Sequence, residues 1–263
     1  MSTPASDPQN LSFGSDASGY DAGRLDYPPE IYARLRAMGL GPGAKLFEIG
    51  AGTGIATARM LSEGPARLTA IEPDARMAAL LAERLGANPA LDVVTGSFEG
   101  SSVEPGLYDL GTAATAFHWC DAPRAAAKAF EALRPGGRLL FFWNVYRPVE
   151  PRDAFGEAIV PHLSAAGDDG EALRRSLPDL PAIAAVLEAA GFEGVAAGCV
   201  DWTAELDAAQ NRALYASMSM TRALPQGVRA ELLDAIEETA RTAFPPLIER
   251  RFQSPFIAAR RPS

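Results

Sequence analysis

The chain has 263 residues, 48% of them hydrophobic, with a formal net charge of −9 and an isoelectric point near 4.9. That is enough apolar side chain for one large core with an elaboration, and too acidic a balance for a nucleic-acid surface, which needs a basic footprint. No run is apolar and long enough to span a bilayer, the polar start Met1 to Asp7 has no signal-peptide core, and the only cysteines (Cys120, Cys199) and histidines (His118, His162) have no metal or disulfide-framework spacing, so a cytoplasmic protein without a metal is expected.

Residues 1–19 read as a polar tail, after which Pro28-Pro29-Glu30 opens a helix that Gly39 ends. The pattern then alternates, with strands predicted over 45–49, 67–71, 91–95, 107–113 and 138–143 and helices over 54–63, 74–86 and 122–133. Asp121 and Pro123 start the last of these helices, and Pro135-Gly136-Gly137 stops it. Strand and helix in turn predict an α/β fold, a mostly parallel sheet covered on both faces. Past Trp143 the rhythm breaks, and Pro148, Pro151, Pro161 and the turn 167–170 mark 144–180 as an inserted helical cap. A helix over 181–190 ends at Gly191, a strand follows through Trp202, an amphipathic helix covers 228–244 and a last strand covers 252–259.

The turn after the first strand carries the chemistry. Gly50, Gly52 and Gly54 alternate with Ala51 and Thr53, so the backbone can take positive φ and no side chain keeps a ligand away. The turn runs into a helix N-terminus, whose unpaired N–H groups receive a carboxylate or phosphate. A dinucleotide fingerprint places its third glycine where Ile55 stands, which disfavours a nicotinamide cofactor. Glu72, at the end of the next apolar run, is placed to accept both hydrogen bonds of a ribose diol.

These residues resemble the class I S-adenosylmethionine-dependent methyltransferases, whose hallmark is an acid, a Gly-x-Gly-x-Gly turn and a second acid ending the next strand. Val93 to Glu99 is similar to the family's third strand and adenine-flanking loop, Tyr108 to Trp119 to its fourth strand and active-site loop, and Leu133 to Leu139 to its turn into strand five. The resemblance implies a Rossmann-like seven-stranded sheet whose last strand is antiparallel, with S-adenosyl-L-methionine as cofactor and S-adenosyl-L-homocysteine as product. It further implies an amino-terminal segment, 1–30, closing over the cofactor, and a methyltransferase domain, 31–263, to which 144–180 and about 203–245 contribute the helical cap.

On this reading the cofactor contacts are Tyr20, Arg24, Glu48, Gly50, Ala51, Gly52, Gly54, Glu72, Pro73, Ser97, Phe98, Ala114 and Ala116. Glu48 anchors the turn or the methionine amino group, Arg24 is solvated or grips a carboxylate, and Phe98 is either core or a platform for adenine. Asp109 serves structure. His118, between Phe117 and Trp119 in the loop where an acceptor approaches, is the candidate general base. Trp119, Trp143, Asn144, Tyr146 and Arg147 are the acceptor-side residues, while Trp202, Tyr215, Ser217 and Met218 line the opposite wall or belong to the core. Methyl transfer to a small organic acceptor follows, oxygen being favoured over nitrogen or carbon because a histidine is at hand, by a monomer or homodimer binding neither nucleic acid nor membrane. Cofactor binding without catalysis, and a nucleotide-dependent oxidoreductase, are the alternatives.

Overall fold

A computed structural model describes residues 19, 23–146, 152–167 and 178–263. Seven strands form one sheet: β1 (Lys45–Ile49), β2 (Arg67–Glu72), β3 (Leu91–Thr95), β4 (Tyr108–Ala114), β5 (Leu133–Phe142), β6 (Glu193–Leu206) and β7 (Ile248–Arg260). Their spatial order is β3-β2-β1-β4-β5-β7-β6. The first five are parallel, and β7 alone runs against its neighbours β5 and β6.

Helices α1 (Pro29–Ala37), α2 (Ile55–Ser62), α3 (Ala75–Leu85) and α4 (Ala122–Ala132) belong to the alternating half. Asp74 and Asp121 cap α3 and α4 through their carboxylates, each accepting a backbone N–H of the first turn. Successive strand residues face opposite sides, and the core divides accordingly. Phe47, Ile49, Leu139 and Phe141 join one apolar cluster, while Leu46, Leu140 and Phe142 join the other. Each such side chain, buried, contributes about 1.5–3 kcal/mol, so the two clusters fix the register. The bracing role expected of Asp109 is seen directly: its carboxylate accepts Lys45 N at 2.9 Å and Arg134 Nε at 2.6 Å.

Beyond β5 come α5 (Ala154–Ala158), α6 (Val160–Ala165), α7 (Leu180–Ala189), α8 (Ala208–Ala216), α9 (Ser219–Arg222) and α10 (Gln226–Ala243). A third cluster, with Phe155, Ile159, Leu163, Leu214, Leu232 and Ile236 packed on Ile248 and Phe252, joins five of these helices to β7. At its centre Arg250 is 1% exposed; its Nε donates to Asp153 Oδ2 at 3.0 Å and its Nη1 to Asn211 Oδ1.

Four boundaries differ from the sequence reading. β5 begins at Leu133, because Arg134–Gly137 bulge out between the pairs Tyr108–Leu133 and Leu110–Arg138 instead of ending the strand. β6 and β7 are longer than expected because they pair with each other from Glu193–Arg260 to Leu206–Ile248, and a partner lengthens a strand that periodicity alone would stop. The second stretch of helix consequently starts at Ala208 rather than near 203. In the first cap segment, 147–151 and 168–177 lie outside the described residues.

Candidate active site

Because β1, β2, β3, β4 and β5 are parallel, their carboxyl ends share one edge, where ligands of open α/β sheets bind. The chain leaves β1 through Gly50 and Gly52 at φ +65° and +59°. A Cβ on Gly50 would stand 2.5 Å from Ala116 Cβ, so only glycine lets this turn lie against the loop after β4. Gly50 N and Ala51 N donate to Ile71 O at 2.8 and 3.1 Å. Gly54, also left-handed, then opens α2.

Two buried carboxylates flank the turn. Glu48 is 1% exposed; Thr57 Oγ1 donates to its Oε2 at 2.6 Å, and its Oε1 has no partner among the described residues. Burial lifts its pKa from 4.5 to about 8, against the Thr57 bond and with help from the negative Glu72. Glu72 accepts Gly52 N at 2.8 Å on Oε2 and Asp74 N at 2.9 Å on Oε1. Its pKa is raised by burial in spite of those two bonds. Pro73 is exposed beside it. Sequence reasoning missed Arg84, whose Nη1 reaches from the end of α3 to Thr53 O at 3.1 Å; no local pattern signals that contact.

At the exit of β3, Gly96 N donates to Glu72 O at 2.9 Å and exposed Ser97 accepts Gly100 N on Oγ at 3.2 Å. Phe98 is a core residue rather than an exposed platform. It is 2% exposed and stacks on Phe47 at 5.4 Å with the Lys128 ammonium 5.3 Å from its ring. The apolar underside of the sheet claims the ring and leaves backbone and Ser97 at the surface of this turn.

Between Ala114 and Ala116, Thr115 takes φ +53°, the one positive value at a non-glycine among the described residues. A β-branched residue held there costs roughly 1–3 kcal/mol. Its Oγ1 pairs with Tyr27 Oη at 2.7 Å and accepts Asn144 N at 3.3 Å, while its own N–H donates to Phe142 O at 2.8 Å. The sequence marked this stretch only by its small side chains. Next, Phe117–Trp119 form one 3-10 turn. Phe117 is buried on Phe141 at 4.4 Å, Trp119 is 38% exposed, and the His118 ring lies 4.7 Å from it. Trp143 Nε1 donates to His118 Nδ1 at 3.0 Å.

Three residues expected to line the acceptor side are buried supports instead. Trp143 is 2% exposed and lies beneath His118. Asn144 donates Nδ2 to Leu25 O, Asp26 O and Tyr146 Oη at 3.3, 3.2 and 3.0 Å and accepts Ser254 Oγ at 2.6 Å. Tyr146 donates to Leu25 O at 3.0 Å, with the Arg24 guanidinium 5.2 Å from its ring. A chain leaving the sheet has backbone carbonyls of a second segment to satisfy, and these side chains do so. Arg24 donates Nη2 to Ser217 O at 3.0 Å, joining the same segment to α8. Tyr215, Ser217 and Met218 are buried, as core rather than wall. Tyr20 and Arg147 lie outside the described residues.

The family described as "Methyltransferase domain" matches residues 47–141. An uncharacterized methyltransferase of Mycobacterium tuberculosis is 31% identical over 242 residues, 89% of this chain and 87% of that one. A ubiquinone/menaquinone biosynthesis C-methyltransferase of Methylobacterium nodulans is 35% identical over 170 residues, 57% of this chain and 66% of its own length. Among solved structures, Haemonchus contortus phosphoethanolamine N-methyltransferase 2, in complex with phosphomonomethylethanolamine and S-adenosylhomocysteine, superposes with a TM-score of 0.58 at 15% identity; the match covers 95% of this chain but only 58% of that protein's length. The chain belongs to the class I S-adenosylmethionine-dependent methyltransferases. It is an enzyme of that class, and its cofactor is S-adenosylmethionine. The residues present fit such a group, since a bare turn adjoins a buried carboxylate oxygen left unpartnered at Glu48. No helix among the described residues is long and apolar enough to cross a membrane.

Proposed function

We propose that this chain transfers a methyl group to a small organic acceptor, oxygen being the favoured target, and that it works in the cytoplasm as a monomer or homodimer. The observation that carries the cofactor assignment is Glu48 Oε1, buried without a partner beside the glycine turn. A cationic ammonium is the complement of such an oxygen. On this reading Glu48 receives the methionine amino group, the backbone of Gly50 to Gly54 and the start of α2 receive its carboxylate, and Glu72, with Pro73 beside it, holds the ribose diol. Ser97 and the backbone of the 96–98 turn meet the adenine edge, and Ala114 and Ala116 leave room between cofactor and acceptor. When bound, S-adenosylmethionine supplies a methyl carbon already activated by its sulfonium. The protein's contribution is position, worth up to about 7–11 kcal/mol where reacting atoms are held in line. Segment 23–27, bonded to Asn144, Tyr146 and Thr115, closes over the cofactor, and the cap excludes water. His118 and exposed Trp119 face the acceptor.

Calorimetric titration tests this reading. S-adenosylmethionine and S-adenosylhomocysteine should bind with micromolar dissociation constants while NADH gives no heat. Binding of NADH alone would overturn it. Similarity to a C-methyltransferase over 57% of the chain supports a carbon target as the second reading, and the position of the new methyl in the product separates the two.

A further inference from the structure

His118 lies in the turn after β4, at the carboxyl edge of the parallel strands, and its hydrogen bond decides which proton chemistry it can perform. An indole N–H is a donor with no acceptor capacity, so the imidazole nitrogen 3.0 Å from Trp143 Nε1 uses its lone pair there. The proton of the neutral ring is therefore on Nε2. That nitrogen has no hydrogen-bond partner among the described residues, and the residue is exposed. The support is rigid: Trp143 is buried, and the turn carrying His118 is closed by Trp119 N to Ala116 O at 3.0 Å and Cys120 N to Phe117 O at 3.1 Å.

Resting on the methyltransferase reading, we propose that His118 meets the acceptor as a fixed hydrogen-bond donor through Nε2–H, with Trp143 as its positioning residue, and that the acceptor is a delocalised oxyanion, a carboxylate or an enolate. A general base needs a lone pair on the nitrogen facing its substrate, and this tautomer offers a proton instead. Among the described residues the Arg24 guanidinium bears on the charge of the ring, while at the far end of the turn Glu99 accepts Asp121 N. The ring is desolvated where it meets the buried Trp143, and this, with Arg24 adding to it, brings the imidazole pKa below its ordinary 6.5. The ring thus stays neutral at neutral pH.

A delocalised anion suits one donor and one open direction, because one of its atoms accepts Nε2–H while the other attacks. The attacking atom forms the bond to the methyl carbon with its own electron pair, the carbon–sulfur bond breaks with its pair passing to sulfur, and the anionic and sulfonium charges cancel. No proton has to be removed, so a base is not needed.

Nitrogen-15 spectra of the imidazoles test this directly, since the chain has only two histidines and His118→Gln identifies which signals belong to His118. With S-adenosylhomocysteine bound, Nδ1 should show the shift of an unprotonated nitrogen and Nε2 that of an N–H from about pH 5 to pH 8. Benzoate should move the Nε2 signal and benzylamine should not. Trp143→Phe, checked for folding by circular dichroism, should give mixed tautomers, because it removes the donor that holds the Nδ1 lone pair. A proton on Nδ1, or a response to benzylamine in place of benzoate, would overturn the proposal. Calorimetry reports separately whether S-adenosylhomocysteine binds, and the same spectra recorded without it report the tautomer alone, so failure of the donor role and failure of the cofactor reading are distinguishable.

Discussion

The glycine turn and segment 23–27, which is tied to the loop after β4 through Tyr27 and Thr115, are built on different scales. Around the turn, polar contacts join residues close in sequence or on adjacent strands, such as Thr57 with Glu48 and Gly52 with Glu72. Segment 23–27 and the end of β5 are held by contacts between residues 88 to 193 apart: Arg24 with Ser217, Asn144 with Leu25 and Ser254, Tyr27 with Thr115. The glycine turn is thus a local structure, whereas the packing of segment 23–27 on the end of β5 exists only once distant segments have met.

If so, the two halves can be damaged separately. Gly52→Arg places a bulky side chain at φ +59° on the cofactor face and should abolish S-adenosylhomocysteine binding in calorimetry while the far-ultraviolet dichroism of the fold is kept. Asp153→Ala does the reverse. It strips the partner from Arg250, which is 1% exposed, and removes acceptors from Arg251 N and Gly156 N. A buried charge left alone costs about 3–5 kcal/mol, so denaturant unfolding should show that loss while cofactor affinity stays near wild type. Equal damage to both properties in either variant would break the comparison.

A pH series sharpens it. The folded chain keeps the Glu48 proton up to about pH 8, whereas an unfolded chain loses it near 4.5. The unfolded state binds fewer protons across that window, so the contribution of this group to stability is full below 4.5 and falls as pH rises, by up to about 1.4 kcal/mol per unit. Glu48→Gln should flatten the fall in chemical denaturation of the cofactor-free protein. The smallest effect belongs to Tyr27→Phe, which removes one hydrogen bond to Thr115 and should cost about 0.5–1.5 kcal/mol in the same assay.

Legibility in the sequence follows the same division. The alternating strands, the capping aspartates, the glycine turn and both flanking acids could be read because each is a short-range pattern with its own physical reason. The topology, with an antiparallel final strand, came from the family resemblance and is what the sheet shows. Phe98 was open in the sequence between core and ligand platform, because its position after β3 fits both; its stacking on Phe47 decides for the core. Trp143, Asn144 and Tyr146 follow a strand end, where ligands gather, but their polar atoms were committed to groups as far off as Leu25 and Ser254, and periodicity has no signal for that. The strained Thr115 was illegible for the same reason, since its conformation is held by three partners outside its own strand.

The placement of β7 between β5 and β6 has a consequence for synthesis. A ribosome delivers the amino end first, so the five parallel strands and the glycine turn can assemble while Glu193–Leu206 is still waiting. That strand has no neighbour in the finished sheet except the segment 248–260, and Phe252 and Arg250 within it also complete the interior of the helical layer. The closing step of assembly therefore awaits the translation of 248–260, and until that segment emerges residues 193–206 have no strand to pair with.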